Sequence, residues 1–211
     1  MSKKERGCLQ DMKGFSNFGK IAIVNMRHFF LLSLLFTLLF GGFLLYQFGV
    51  FQLNSRTVHK VFEMFLPLLG IVWMSSICLP EQTRDIEAVV RIRKISYWQV
   101  LVLRLMISSS FIVLAILLYS GILQWNSTAI SGKVLFATIV NALFLGSIGC
   151  LVHAVTRQST TSLMIPILFY LLNFFLPKEL GVLYLFDLDA ERWWMVGVTI
   201  VLYTLALLRK S

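Results

Sequence analysis

Long apolar runs alternate with short polar links along this chain. Six of the runs predict transmembrane helices, because a helix needs roughly twenty apolar residues to cross a bilayer. They cover about residues 28–50, 61–79, 97–123, 134–155, 162–176 and 193–208. The pattern predicts an all-α polytopic membrane protein, with a cytoplasmic tail and interfacial helix at 1–27 and a six-helix transmembrane domain at 28–211.

Composition agrees with this interpretation and limits the function. Of the 211 residues, 58% are hydrophobic, more than the roughly half that is usual in soluble domains. The net charge is +9, but no polar stretch is long enough to form a nucleic-acid-binding domain. The three cysteines stand too far apart to predict a metal site or a disulfide framework.

One segment between the second and third runs, residues 81–94, is densely charged. Half of its residues carry a charge, against 14% of the whole chain. Charges at this density are too costly to bury in lipid, so the segment must lie outside the bilayer core. We call it the charged island. Its charged residues are Glu81, Arg84, Asp85, Glu87, Arg91, Arg93 and Lys94.

The order of these charges favours a short amphipathic helix on the membrane surface. Acidic residues come first and basic residues last, which suits the helix dipole, and Pro80 stands where a first-turn proline is tolerated. Glu87 and Arg91 are spaced for an ion pair one turn apart, while Ile86 and Val90 belong to an apolar face. The alternative is a solvated loop with a basic flank.

A second amphipathic stretch, residues 12–26, precedes the first run. Phe15 and Phe18 are interspersed with Lys20 and other polar residues, which predicts an interfacial helix entering the first span at a shallow angle. Residues 14–20 also come close to a phosphate-binding loop. They lack the Ser or Thr after the lysine and the preceding strand that such a loop requires, so we expect no nucleotide site here.

Several residues inside the runs interrupt their apolar character. Gly41 and Gly42 would allow close helix contact or a kink in the first span, and Pro67 predicts a bend in the second. Glu63 either reaches water at the outer end of its span or faces the protein interior. Arg104 either extends to the cytoplasmic interface or pairs with a carboxylate of the charged island.

The later spans carry small and polar residues. Gly146 and Gly149 in the fourth span favour close helix packing. The fifth span, which contains Asn173, is short and predicts an extended end or a half re-entrant segment. The linker 177–192 contains an apolar piece too short to cross. That piece either dips into the outer leaflet or forms a small amphipathic helix.

The basic residues predict the orientation. With the N-terminus in the cytoplasm and six crossings, fourteen of the 19 Lys and Arg residues fall on the cytoplasmic side. Because Lys and Arg gather on that side of membrane proteins, both termini and the charged island are expected there. We expect a multi-pass protein of the cell membrane.

Residues 79–87 and 91–98 resemble the corresponding segment of the membrane subunit of type-2 ABC exporters, the ABC-2 type transporter permeases. Members carry an acidic and then basic stretch before the third span, followed by a small polar residue and an aromatic, as Ser96, Tyr97 and Trp98 do here. The interfacial helix, the short turn between spans four and five and a re-entrant element before the last span also fit. The resemblance covers nearly the whole chain.

This resemblance implies a permease subunit that exports its substrate, powered by a separate cytoplasmic ATPase that holds ATP and magnesium. The chain itself would be no enzyme and would hold no cofactor or metal. The ATPase would contact the charged island, acting as a coupling helix, and the interfacial helix with Phe15, Phe18 and Lys20. A second copy or a sister permease is expected beside it. The greasy spans favour a lipophilic or amphipathic cargo, such as a peptide antibiotic or a lipid.

Two other classes stay open. A secondary transporter without an ATPase partner would show internal repeats and charged residues at mid-membrane. A membrane-embedded hydrolase would need His, Glu or Asp side chains that converge from facing spans. The candidates His28, His59 and His153 are expected near opposite faces. Copurification of a cytoplasmic ATPase would discriminate the exporter from both.

Overall fold

The computed structural model describes residues 31–48, 55–77, 97–125, 130–176, 184–186 and 193–210. Regular structure in these ranges is helical, and no strand occurs among them, which confirms the all-α prediction for this part of the chain. A π-helical turn, Val61–Phe65, joins the second and third helices. The helices are α1 Leu31–Phe48, α2 Ser55–Lys60, α3 Leu68–Ile77, α4 Tyr97–Trp125, α5 Gly132–Thr156, α6 Ser159–Phe175 and α7 Trp193–Lys210.

Four helical stretches in the described ranges are long and apolar enough to cross a membrane. They are Leu31–Phe48, Thr57–Ser75, Leu101–Trp125 and Gly132–Thr156. These stretches make the chain a helical membrane protein. The apolar helices Ser159–Phe175 and Trp193–Arg209 are shorter. The count of six crossings and the orientation therefore stay predictions, and both the interfacial helix and the charged island lie outside the described residues.

Helix α5 is the centre of the bundle. Of its most apolar stretch 67% is buried, against 22% for α4 and 11% for α1. It contacts α3, α4, α6 and α7. Two clusters of buried apolar side chains meet on it, one shared with α1 to α4 and the other with α6, α7 and the short segment 184–186.

Glycines allow α3 and α6 to approach α5 closely. A Cβ on Gly70 of α3 would collide with the carbonyl oxygen of Ala142 on α5, and a Cβ on Gly146 would lie 3.0 Å from the carbonyl oxygen of Gly70. On the α6 side, a Cβ on Gly149 would lie 3.1 Å from the carbonyl oxygen of Ser162. The close packing predicted for Gly146 and Gly149 is confirmed, because there is no room for side chains at either place.

Of the two alternatives for Gly41 and Gly42, close helix contact or a kink, close contact with another described helix does not occur, and the kink stays a prediction. No neighbouring atom lies within 4 Å of the positions that their Cβ atoms would take. The reason is that α1 stands apart from α4 along this stretch, so the two glycines border open space.

A tight hairpin joins α5 to α6. Helix α5 is capped by Arg157, which has the left-handed backbone angle φ of 55° and donates its N–H to the His153 carbonyl at 2.8 Å. This is the usual way to end a helix, although glycine is the usual residue. Helix α6 begins two residues later, at Ser159.

Aromatic contacts show the relative directions of the first helices. The ring pairs are Phe62 with Tyr119 at 6.1 Å, Trp73 with Phe111 at 5.0 Å and Phe48 with Phe65 at 5.4 Å. Phe62 comes before Trp73 along the second span, whereas its partner Tyr119 comes after Phe111 along α4. Helix α4 therefore runs antiparallel to the second span. The end of α1 meets the early part of that span, so α1 and α4 point the same way.

We expect Gly70→Ala to lower the free energy of unfolding by roughly 1–3 kcal/mol, because the added methyl group must displace the α5 backbone. Unfolding by dodecyl sulfate in mixed micelles, followed by circular dichroism, measures this. The matched control is Gly197→Ala on α7, where no atom lies within 4 Å of the added methyl group. Equal stability of the two variants would contradict the close α3–α5 contact.

Candidate functional site

The second span is interrupted at Pro67. In the π-helical turn before it, the Leu66 N–H donates to the Val61 carbonyl, five residues back, at 3.1 Å. Proline has no N–H to donate. After it, the N–H groups of Leu69 and Gly70 reach only three residues back, at 3.1 and 3.0 Å. At Pro67 the second span thus changes from a π-helical turn to a tight turn and then to an α-helix. The bend expected there stays a prediction.

Side chains from two other helices bond to the carbonyl groups around this break. The Tyr170 hydroxyl of α6 donates to the Met64 carbonyl at 2.6 Å. The Thr138 hydroxyl of α5 lies 3.2 Å from the Phe62 carbonyl and 2.8 Å from the Val134 carbonyl of its own helix. An unpaired backbone group is costly away from water, so these hydroxyls make the break tolerable inside a membrane.

Glu63 lies on the π-helical turn and is half-buried. Both alternatives from the sequence, reaching water at the outer end of the span or facing the protein interior, stay open. π-Helical turns within helices are frequent at functional sites, and a carboxylate inside a spanning stretch is costly enough to need a reason. The turn with Glu63 is therefore the first element of the candidate site.

A buried turn, residues 184–186, is the second element. Asn141 of α5 donates from Nδ2 to the Leu185 carbonyl at 2.8 Å, and the Leu185 N–H donates to Oδ1 of Asn173 on α6 at 2.8 Å. Asn173 also donates to the Phe169 carbonyl at 2.9 Å. Leu185 itself is 1% exposed. Both backbone groups of a non-helical residue are thus paired with asparagine side chains, as they must be away from water.

The turn lies well inside the bundle. Asn141 stands nine residues beyond Gly132, about 13 Å along α5 at the helical rise of 1.5 Å per residue. Asn173 bonds to the same residue, Leu185, although it lies only two residues before the end of α6 at Phe175. The end of α6 therefore lies deeper inside the bundle than the start of α5. The sequence left two alternatives for the apolar piece of the linker 177–192. In the structure, residues 184–186 of this linker form a turn that is inserted into the bundle.

Tyr170 connects the two elements. Its hydroxyl bonds to the Met64 carbonyl at the break, and its ring lies edge-on to Phe186 of the turn, with ring centres 5.4 Å apart. Phe174 and Tyr184 pack against Phe186 in the same edge-on manner, at 6.4 and 5.7 Å. A movement of the turn would therefore shift Tyr170 and change its hydrogen bond to the Met64 carbonyl in the second span.

A third element is an apolar groove of about 420 Å³ between α1 and α4. We call it the lateral groove. Gly41 and Gly42 of α1 and Ala115 of α4 are among its lining residues, and their small size keeps it open. No Lys, Arg, Asp or Glu lines it. A space of this size and character suits a lipophilic molecule.

One end of the lateral groove is closed by an aromatic pair. The rings of Trp73 and Phe111 stack with their centres 5.0 Å apart and an angle of 10° between them. Trp73 donates its Nε1–H to the Thr37 hydroxyl at 2.7 Å, and Thr37 donates to the Ser33 carbonyl at 2.8 Å. These bonds connect α1 to α3 and keep the polar atoms of Trp73 and Thr37 engaged with protein partners.

The site residues predicted from the sequence fall outside the described ranges. This holds for Glu81, Arg84, Asp85, Glu87, Arg91, Arg93 and Lys94 of the charged island and for Phe15, Phe18 and Lys20 of the interfacial helix. Arg104 is described and half-buried on α4. The carboxylates proposed as its partners belong to the charged island, so both interpretations of Arg104 stay open.

The described ranges contain no cluster of three or more His, Cys, Asp and Glu able to hold a metal. The Ser147 hydroxyl donates to the Phe144 carbonyl of its own helix at 2.7 Å, so its hydrogen bond serves the helix. His153, on the same helix, is buried.

Pro67 and Asn173 stand out in the sequence, whereas Thr138, Asn141 and Tyr170 do not. The sequence nevertheless contains a signal for such donor residues. A proline inside a spanning helix frees carbonyl groups that need donors, and hydroxyl or amide side chains deep in neighbouring spans are the available donors. The pairing of particular donors with particular carbonyls requires knowledge of which helices are neighbours.

Comparison of the chain with protein-family models, with curated proteins and with solved structures found no match.

We expect Asn173→Leu to destabilise the protein by about 1–3 kcal/mol, because it leaves the buried Leu185 N–H without an acceptor. A cysteine placed at Leu185 in a cysteine-free background should also react faster with a maleimide when Asn173 is replaced. Thr204→Val is the control, since this exposed hydroxyl bonds only to the Val201 carbonyl of its own helix. Unchanged reactivity would show that the turn does not depend on Asn173.

Tyr170→Phe should cost about 1 kcal/mol of unfolding free energy, because the ring stays against Phe186 while the Met64 carbonyl loses its donor. Tyr46→Phe provides the matched control, as Tyr46 is 86% exposed. Unfolding titrations of both variants decide the matter. If the two curves coincide, the hydroxyl does not stabilise the interrupted helix.

Proposed function

We propose that this chain is the membrane permease subunit of an ATP-driven exporter of the ABC-2 type, powered by a separate cytoplasmic ATPase. The observation that carries the proposal is the packing of α3 against α4, because the chain that connects these two helices contains the charged island. Helix α3 ends at Ile77 and α4 begins at Tyr97, so the island is the direct connection between them. The resemblance in its charge pattern supports the same assignment.

The helix pair can transmit force. Trp73 of α3 and Phe111 of α4 stack on each other, and Phe62 with Tyr119 forms a second contact farther along the two spans. Trp73 is 2% exposed and bonded to α1 through Thr37. A push on a short helix between α3 and α4 would therefore move three helices, as a rigid lever does in domain motions.

The lateral groove supports a lipophilic or amphipathic cargo. Its lining is apolar and includes no charged side chain, so it offers nothing to hold a strongly polar molecule. A peptide antibiotic or a lipid has the apolar surface that such a groove accommodates. In this mechanism the cargo leaves toward the outer face while ATP and magnesium are bound and hydrolysed in the partner ATPase.

Exposed apolar surface supports further partners within the membrane. Large apolar side chains on α1, α6 and α7 stand exposed, among them Leu38 at 65% and Phe175 at 73%. Membrane lipid covers such surfaces in a spanning helix, and a second copy or a sister permease would cover part of them in a dimer. We place the assembly in the cell membrane with both chain termini in the cytoplasm.

A secondary transporter is the second candidate, favoured by the interrupted second span. Such transporters bind substrate and coupling ions at broken helices near mid-membrane, and here Glu63 lies on a π-helical turn beside Pro67. The buried turn 184–186 is a further non-helical element. Uptake into vesicles driven by a proton or sodium gradient without ATP would favour this candidate over the exporter.

For the exporter, exchanging Glu87 and Arg91 should weaken the retention of the ATPase on the purified chain. The double variant Glu87→Arg with Arg91→Glu keeps their ion pair possible one turn apart but reverses the charges presented to a partner. We expect at least a fivefold loss of copurified ATP hydrolysis, an order-of-magnitude figure for losing one or two charged contacts of about 1 kcal/mol.

The control for this experiment is Lys133→Gln, an exposed residue at the start of α5 that is expected on the outer side. Membrane insertion of all variants is verified by fractionation. A more severe variant replaces residues 81–94 with a Gly-Ser linker of equal length. ATPase retention that survives this replacement would rule out the charged island as the coupling element.

A further inference from the structure

The lateral groove has the length of one membrane leaflet. It is lined from Leu34 to Leu45 along α1 and from Phe111 to Ile122 along α4, which is about 16 Å on each helix at 1.5 Å per residue. The hydrocarbon core of a bilayer is about 30 Å thick, so one leaflet contributes about 15 Å. A molecule that fills the groove from end to end therefore reaches about as deep as one acyl chain.

The groove is open along one side. Leu38 of α1 and Leu118 of α4 line it and are 65% and 60% exposed, so it is accessible to the molecules that surround these helices in a bilayer. Its volume of about 420 Å³ lies in the range of cavities that accept a small apolar ligand. An opening toward the bilayer favours a hydrocarbon chain over a ligand that enters from water.

The lining recognises hydrocarbon rather than a polar head. Its polar side chains are Thr37, Trp73 and Tyr119, and the first two are hydrogen-bonded to each other. No charged side chain is present to pair with a phosphate or an ammonium group. Binding would come from the burial of apolar surface, so the part of the ligand inside the groove must be apolar.

The two ends of the groove differ. Trp73 and Phe111 close the inner end. The other end lies near the last turns of α1 and α4, where Tyr46 is 86% exposed and Trp125 is 91% exposed. Tyr and Trp concentrate at the headgroup level of bilayers, so this end opens where lipid heads lie. An acyl chain whose head stays at that level would place its methyl end against Trp73.

We propose that the lateral groove binds one acyl chain of a bilayer phospholipid, with the methyl end of the chain at Trp73. A phospholipid is the source of acyl chains that surrounds α1 and α4 in a bilayer, and the groove opens sideways to it. The proposal requires only that these helices span a bilayer. It concerns the groove that the proposed function assigns to the cargo and names a bilayer phospholipid as its occupant, but its test involves no ATPase, so each of the two proposals can fail without the other.

The test uses the fluorescence of Trp73 in the full chain, with the other four tryptophans replaced by phenylalanine. The protein is placed in nanodiscs of phosphatidylcholine brominated near the methyl end, brominated near the carboxyl end, or unbrominated. Bromine quenches tryptophan on contact. Trp73 is 2% exposed, so bromine contacts it only from within the groove. We therefore expect strong quenching by methyl-end bromine and little quenching by carboxyl-end bromine.

Two variants fill the groove from opposite walls. Gly42→Leu adds a side chain from α1, where no neighbouring atom stands within 4 Å of the added Cβ atom, and Ala115→Phe enlarges a side chain from α4. Gly197→Leu is the matched control, since it adds the same side chain into open space on α7. We expect loss of quenching in both groove variants and unchanged quenching in the control.

Native mass spectrometry of the same nanodisc samples, after release, should show one retained phospholipid fewer in the groove variants than in the control. Quenching that persists in both filled variants would overturn the proposal, as would equal loss in Gly197→Leu. Absence of methyl-end quenching in the parent protein would also overturn it. If the parent is then dimeric and Gly42→Leu is monomeric, the groove belongs to an interface between copies.

Discussion

Tyr170 makes the contact that joins the two irregular elements of this bundle. Its hydroxyl holds the Met64 carbonyl at 2.6 Å, and its ring packs against Phe186. Inside a membrane no water is available to pair with freed backbone groups, so an interrupted helix and an inserted turn both need protein donors and acceptors. One side chain on α6 supports both of these irregular elements, and for that reason they form a single unit.

Helix α5 supplies most of the other side chains that bond to these irregular elements. It combines polar side chains that reach neighbouring segments with glycines that let other helices approach closely. Thr138 and Asn141 lie about one turn apart and reach the broken second span and the buried turn. Within the next two turns, Gly146 and Gly149 have no room for a side chain against α3 and α6. Close backbone approach strengthens packing in lipid, where apolar surface alone gives little drive for association. The central position of α5 follows from both.

The proposed functions of the charged island and the lateral groove meet at one place. Trp73 and Phe111 connect α3 to α4, whose nearer ends are joined by the segment containing the island, and the same two rings close the groove. In the proposed mechanism, a displacement of the island would change the end of the groove at Trp73. This gives a physical route from work done by an ATPase to the release of an apolar ligand, as a rearrangement between packed states.

The sequence by itself determined the helical class, the membrane location and the break at Pro67. These follow from local chemistry, since long apolar runs must satisfy their backbone groups as helices and a proline lacks its donor. The tertiary structure alone decided the partners. Asn141 and Asn173 lie 32 positions apart and meet at Leu185, while Gly41 and Gly42 border a groove instead of a helix. Whether a small or polar residue faces a neighbour or open space depends on how the helices are arranged, and no local pattern contains that information.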